Sequence, residues 1–264
     1  MGVLDKKTDI GKFRECNEDA VALLCHPKNK NIMLLAVADG MGGKAFGDIA
    51  SNYTIDRISK WFLNKDVKTL NDNDKVIDLV ERLIKSINTS LIKKYGSDIM
   101  GTTLSLAIVN KNNTIIFNIG DSRCYAYKDS KLIQLTEDDS DVWLYHKLFG
   151  VKKDHLRYIA SSNVINACIG ISSDLCNVSV LIISNNYDGL LLFSDGVTDL
   201  LTDRKILNII KKNKEEDILD KIIDNAVNVD QKLSIPLLLR LRVKEKLVIP
   251  VVGRDNASGV IYMK

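Results

Sequence analysis

The sequence predicts an α+β fold with antiparallel strands in the middle and pairs of helices outside. Strand-like runs at 103–109, 114–119, 123–128 and 131–135 follow one another across turns too short for parallel crossovers, so neighbours must run antiparallel. Two helical patterns precede them, over 44–63 and from Val76 to Leu91, and two follow, over 203–212 and 215–227. Each carries an apolar stripe, which a helix buries by lying on a sheet.

In chain order, residues 1–10 open polar (Asp5, Lys6, Lys7, Thr8, Asp9), and Ile10-Gly11 leads into Arg14-Glu15-Cys16-Asn17-Glu18-Asp19. Residues 20–25 are apolar, 27–31 make a turn, and 32–38 form a branched apolar run, the pattern of an antiparallel hairpin. Over 44–63, Phe46, Ile49, Ala50, Tyr53, Ile58, Trp61 and Phe62 recur at helical spacing. A polar linker at 71–74 precedes the helix striped by Val76, Val80, Leu83, Ile84, Ile87 and Leu91.

Over 136–170 the pattern breaks down. Glu137, Asp138, Asp139 and Asp141 crowd ahead of a helical run at 142–149, where a helix dipole favours acids. Strands at 178–183 and 190–194 resume the sheet. Residues 233–252 include Ile235-Pro236-Leu237-Leu238-Leu239 and Leu247-Val248-Ile249-Pro250, apolar enough to complete a core or to offer a partner-binding surface. A short apolar tail follows Gly253-Arg254-Asp255-Asn256.

At 264 residues the chain can bury one substantial core, so a single domain over 1–264 is expected. Apolar content of 45% with 27% charged residues fits a soluble globular protein, and a net charge of +3 is too small to imply nucleic-acid or membrane binding. No apolar run reaches bilayer length. Five scattered cysteines without a Cys-x-x-Cys pair argue against a disulfide framework and against zinc, and point to the cytoplasm.

The chemistry gathers at Val37-Ala38-Asp39-Gly40-Met41-Gly42-Gly43. Asp-Gly after a strand is by itself an ordinary turn. Here the device recurs: 190–194 ends in Asp195-Gly196, Asp255 follows Gly253, and Glu18 and Asp19 stand near the N-terminus. Separated acids at the ends of apolar segments are what a hard divalent cation needs for oxygen ligands. Thr102 and Thr103 read as strand-packing residues.

These blocks, with Gly101-Thr102-Thr103, Gly120-Asp121-Ser122-Arg123 and Phe193 to Asp199, resemble in the same order the PPM (PP2C-type) metal-dependent protein serine/threonine phosphatases. Met41, where eukaryotic members usually carry His, is similar to the bacterial branch. The resemblance implies a four-layer αββα sandwich with two central, mainly antiparallel sheets flanked by helix pairs. It also implies a flap over about 136–170 and marks 233–252 as an unusual insertion.

It further implies two Mn2+ or Mg2+ ions activating a water. Asp39 would bridge them, the Gly40 carbonyl would bind one, and Asp195 and Asp255 would hold the other. Glu18 or Asp19 would complete the shell, and Asp121 would serve a third ion. Arg14 would clamp the phosphate, since its planar fork matches phosphate oxygens. Asn256 would brace Asp255. The expected partners are phosphoproteins and a cognate serine/threonine kinase, with the chain a monomer. The alternative is a pseudophosphatase that binds a phosphoprotein or kinase without hydrolysis.

Overall fold

The computed structural model describes residues 2–42, 46–150, 165–173, 178–234, 248–252 and 255–264. Residues 3–9 read as a polar lead-in, yet Val3–Asp9 is a strand, β1. Its exposure alternates along its length, and its backbone pairs with the C-terminal tail from Val3↔Met263 to Asp9↔Ala257. An edge strand takes its conformation from its neighbour, so seven residues carrying Asp and Lys give little local signal.

The expected hairpin is β2 (Asp19–His26) with β3 (Asn29–Met41), in register from Asp19↔Asp39 to Cys25↔Met33. β3 runs past the apolar segment because β4 (Gly101–Thr102) supplies partners, Gly40↔Thr102 and Met41↔Gly101. Asp39-Gly40 is therefore strand and not turn. With β5 (Leu104–Val109), β6 (Asn113–Ile119) and β9 (Ser179–Ser184), one sheet has the order β2-β3-β5-β6-β9, with β4 beside β3. The second sheet, ordered β1-β13-β10-β7-β8, contains β7 (Arg123–Lys128), β8 (Lys131–Gln134), β10 (Gly189–Phe193) and β13 (Ala257–Met263). Every ladder is antiparallel.

Helices α1 (Gly47–Leu63), α2 (Val67–Leu70) and α3 (Asn73–Tyr95) precede the middle strands. Asp72 caps α3 by accepting the Lys75 amide, and Gly96, at φ +94°, ends it. Helix α4 (Asp141–Phe149) lies within 136–170, the stretch expected to form a flap, of which 151–164 are outside the described residues. After β10 come α5 (Asp195–Thr198), α6 (Asp203–Lys212) and α7 (Ile218–Val227).

Strand alternation sorts the core into layers. Ile32, Leu34, Ala36 and Ala38 pack with Ile58, Phe62, Ile84 and Ile87 of α1 and α3. Met33, Leu35 and Val37 pack across the seam against Cys124, Leu190, Leu192 and Val260 of the other sheet. Leu191, Phe193 and Ile261 face Ile206, Ile222 and Ile223 of α6 and α7. The result is the four-layer αββα arrangement.

Residues 230–234 and 248–252 pair as β11 (Asp230–Ser234) and β12 (Val248–Val252), a two-stranded ladder belonging to neither main sheet. The remainder of 233–252, the stretch expected to be an insertion, is 235–247 and lies outside the described residues. Among the described residues no helix is long and apolar enough to cross a membrane.

Candidate active site

The two-residue period of the strands decides which acids meet. Asp39 continues the seam-facing row of Met33, Leu35 and Val37. Asp19 is its register partner on β2, and cross-strand partners share a face. On β10, Leu190 and Leu192 face the seam, so Ser194 follows them there and donates its hydroxyl to Asp19 Oδ2 at 2.9 Å. The Ser258 amide donates to Ser194 Oγ at 3.0 Å. Asp195 opens α5, and Asp255 lies just before β13. The seam is apolar in its middle and ends in hydroxyls, with the acids around that end.

Burial and mutual repulsion govern these acids. Burial, then the neighbouring Asp195 and Asp19, hold the Asp39 carboxyl well above its ordinary range. Asp195 is raised in the same sense by burial and then by Asp121, Asp199 and Asp255. The two keep some contact with solvent but lie deep enough among other atoms for desolvation to lead. Burial pushes Asp19 up to about 6, with the Ser258 and Ser194 hydroxyls offsetting part of the rise and Asp255 adding to it. Asp121 is pushed up to about 7 by burial and then by Asp199 and Asp138, against the pull of Arg123.

Oδ1 of Asp19, Asp121 and Asp195 is buried without a hydrogen-bond partner among the described residues. Orphaned, mutually repelling carboxylate oxygens fit a divalent cation, which supplies positive charge and accepts oxygen ligands. Among the described residues no three acids, histidines or cysteines close into a ready-made cage. The fit is therefore one of donor chemistry, suited to hard ions that keep waters of their own.

A pH dependence follows. Asp19 and Asp121 bind their protons more tightly folded than unfolded, so their contribution to stability is fully present below about pH 4 and is lost as pH rises through about 6 and 7. In chelator the melting temperature should fall between pH 5 and pH 8, and Asp121→Asn should flatten that slope. An unchanged slope in the variant would show that Asp121 does not carry it.

A family model described as Protein phosphatase 2C matches residues 13–225. The chain belongs to the protein phosphatase 2C family. A serine/threonine phosphatase, stp, of Listeria welshimeri is 29% identical over 238 residues, covering 88% of this chain and 93% of the relative. The crystal structure of the serine/threonine phosphatase Stp1 from Staphylococcus aureus has a TM-score of 0.79 at 25% identity, covering 100% of this chain and 95% of that one. The catalytic domain of PstP, solved in complex with two manganese ions, has a TM-score of 0.75 at 23% identity, covering 99% of this chain and 97% of that one, a likeness of fold.

In this protein phosphatase 2C chain, Arg14 stands beside the acids. Its Nη2 lies 2.8 Å from Asp255 Oδ2 and its Nη1 3.5 Å from Glu18 Oε2, with the side chain about half exposed. Glu18 and Asp19, alternatives in the sequence, point to different places. Asp19 faces the seam beside Asp39, whereas Glu18 Oε1 accepts the Gly47 amide at 3.2 Å at the start of α1. Gly40 donates its N–H to the Glu18 carbonyl at 3.1 Å, and a Cβ on Gly40 would lie 2.2 Å from the Gly47 carbonyl oxygen. Only glycine admits that approach.

Asn256 meets the Asp255 carboxylate through its backbone, its N–H donating to Oδ1 at 2.8 Å, while its side chain makes other bonds. It accepts the Glu18 amide at 2.9 Å and donates to the carbonyls of Ile10 and Cys16 at 3.0 and 3.1 Å, tying the Arg14 loop to β13. Asn256→Ala should cost roughly 3 kcal/mol, since it strands buried partners; a loss under about 1 kcal/mol in urea unfolding would count against the clamp. Thr102 and Thr103 do more than pack the strand. Thr102 Oγ1 donates to the Asp39 carbonyl at 3.0 Å, and Thr103 Oγ1 accepts the Asp39 amide at 3.0 Å and meets Ser122 Oγ at 2.8 Å.

The acids at 137–141 are not one dipole-stabilised cluster. Asp138 grips Arg123, with Nε–Oδ1 at 2.9 Å and Nη2–Oδ2 at 2.6 Å. Asp139 accepts the Gly120 amide at 3.0 Å and donates its own amide back to the Gly120 carbonyl at 3.0 Å. Glu137 pairs with Lys147, and Asp141 accepts from Asn166 at 2.9 Å. The first of these ties hold the turn that carries Asp121. Arg123 and Ser194 lie inside motif blocks and Ser258 outside them, but the sequence assigned none of the three a role, because those roles depend on segments distant in the chain.

Proposed function

We infer that this chain is a serine/threonine protein phosphatase, hydrolysing phosphoserine and phosphothreonine esters on proteins phosphorylated by a cognate kinase in the cytoplasm, and that it works as a monomer. The observation carrying this reading is the end of the seam, where Asp19, Asp121 and Asp195 keep orphaned oxygens and Arg14 lies alongside. Asp39, Asp19, Asp195, Asp255 and the Gly40 carbonyl would hold two Mn2+ or Mg2+ ions, and Asp121 with Asp195 a third. Bound there, the cations supply Lewis acidity toward the phosphoryl oxygens and lower the pKa of a water.

The chain's own residues position the reaction. Thr102 and Thr103 fix the backbone of Asp39 from both sides. Arg14, fixed at one edge by Asp255, presents its remaining N–H groups to the phosphate. Met41 has no proton to donate, so the leaving alkoxide takes its proton from water. The binding-only reading would be marked by a missing acid, and Asp19, Asp39, Asp195 and Asp255 are all in place.

The test is hydrolysis of p-nitrophenyl phosphate and a phosphothreonine peptide with manganese, magnesium or chelator. Turnover should need the metal, stop in chelator and return on adding metal back. Arg14→Ala should lower kcat/KM about a hundredfold, and Arg14→Lys should recover only part of it, because an ammonium cannot present the same fork. Full activity in chelator, or none from folded, metal-loaded protein, would refute the reading.

A further inference from the structure

The far end of the seam is built differently from the acid end. There the strands open into a cavity of about 680 Å³. Its apolar wall includes Met33 of β3, Val109 of β5, Tyr262 of β13 and Leu4 of β1. At roughly 3.3 Å of rise per residue, Met33 lies about 20 Å along β3 from Asp39, so the cavity is separate from the acids.

Its charged side chains are of one sign: Lys30, Lys111 and Lys264 line it, and no Asp or Glu does. Lys264 stands 4.3 Å over the Tyr187 ring and donates to the Asn185 carbonyl. Asp188, whose charge also acts on Lys264, accepts the Asp129 amide at 2.9 Å. Among the described residues, the ammonium groups of Lys30 and Lys111 and the hydroxyl of Tyr262 meet no hydrogen-bonding partner. The volume is that of a small-molecule site, and a concave, half-apolar wall with unneutralised ammonium groups at its rim suits an anion carrying an apolar body.

We propose that this cavity binds a small organic anion with a flat apolar body. The charged group lies between Lys30 and Lys111, and the body lies against Met33, Val109 and Tyr262. Phosphate and carboxylate share the required chemistry.

The probe is 8-anilinonaphthalene-1-sulfonate, an aromatic anion whose emission rises in an apolar site, titrated into the magnesium-loaded full chain. Wild type should bind one equivalent saturably. Lys30→Glu/Lys111→Glu should weaken binding at least tenfold, whereas the charge-matched pair Lys85→Glu/Lys93→Glu on α3 should not change it. All four lysines are exposed, so both variants should keep the wild-type melting temperature and hydrolysis rate. Displacement of the probe by AMP would assign a phosphate ligand, and displacement by 1-naphthoate a carboxylate. Absence of saturable binding, or equal weakening in the two variants, would overturn the proposal.

Discussion

Asp39→Asn is expected to lower kcat/KM by about a thousandfold or more while raising the melting temperature of the chelator-treated protein. The two effects share one cause. Burial first, and then the negative charge of Asp195, Asp19 and Asp121 around it, resist the ionisation of Asp39. Divalent cations held there, as proposed, would relieve that repulsion. Without them it is a cost borne by the folded state, on the order of 1–3 kcal/mol at pH 8.

Asparagine keeps the shape and removes the charge, so it relieves the cost and forfeits the attraction. The pH dependence gives an internal check. Asp39 has a raised folded pKa, so the wild type is penalised only above the unfolded carboxylate pKa, and the advantage of the variant should shrink toward pH 4. The rise in melting temperature on adding manganese should also be smaller in the variant, because a ligand stabilises the state it binds in proportion to affinity. A variant that melts below wild type in chelator at pH 8 would show that Asp39 is held mainly by structural bonds.

The second large effect should come from Asp138→Ala. Arg123 is nearly enclosed, its side chain 12% exposed and that of Asp138 4%, and the two meet through a bidentate pair. Removing Asp138 leaves a buried guanidinium without its hydrogen-bonded carboxylate, which costs about 3–5 kcal/mol. For a chain of this size that corresponds to a fall in melting temperature of about 10 °C. Replacing both partners, Arg123→Met/Asp138→Leu, should recover most of the loss, since a buried pair exchanged for apolar volume is close to neutral. A single-variant loss below about 1 kcal/mol would reduce the pair to an ordinary surface contact.

Much of the fold was legible. Apolar runs with a period of two, helical stripes and short turns placed most strands and helices, because side-chain period follows backbone geometry and short turns force antiparallel neighbours. The residues that misled were those whose structure comes from a distant partner. Val3–Asp9 is a strand because Ala257–Met263 lies beside it, and Gly40 and Met41 extend β3 because Gly101–Thr102 supplies their pairing.

The site divides in the same way. That acids stand at the ends of apolar runs was visible in the chain itself. Which acids share a space was not: Glu18 and Asp19 are adjacent, yet one holds the start of α1 and the other faces the seam. Asp138 and Asp139 are adjacent, yet one neutralises Arg123 and the other pins the Gly120 turn. Local composition sets the kind of element and the available chemistry. Register between segments as far apart as Glu18 and Asn256 sets the face each side chain takes, and a one-residue change in register reverses every face.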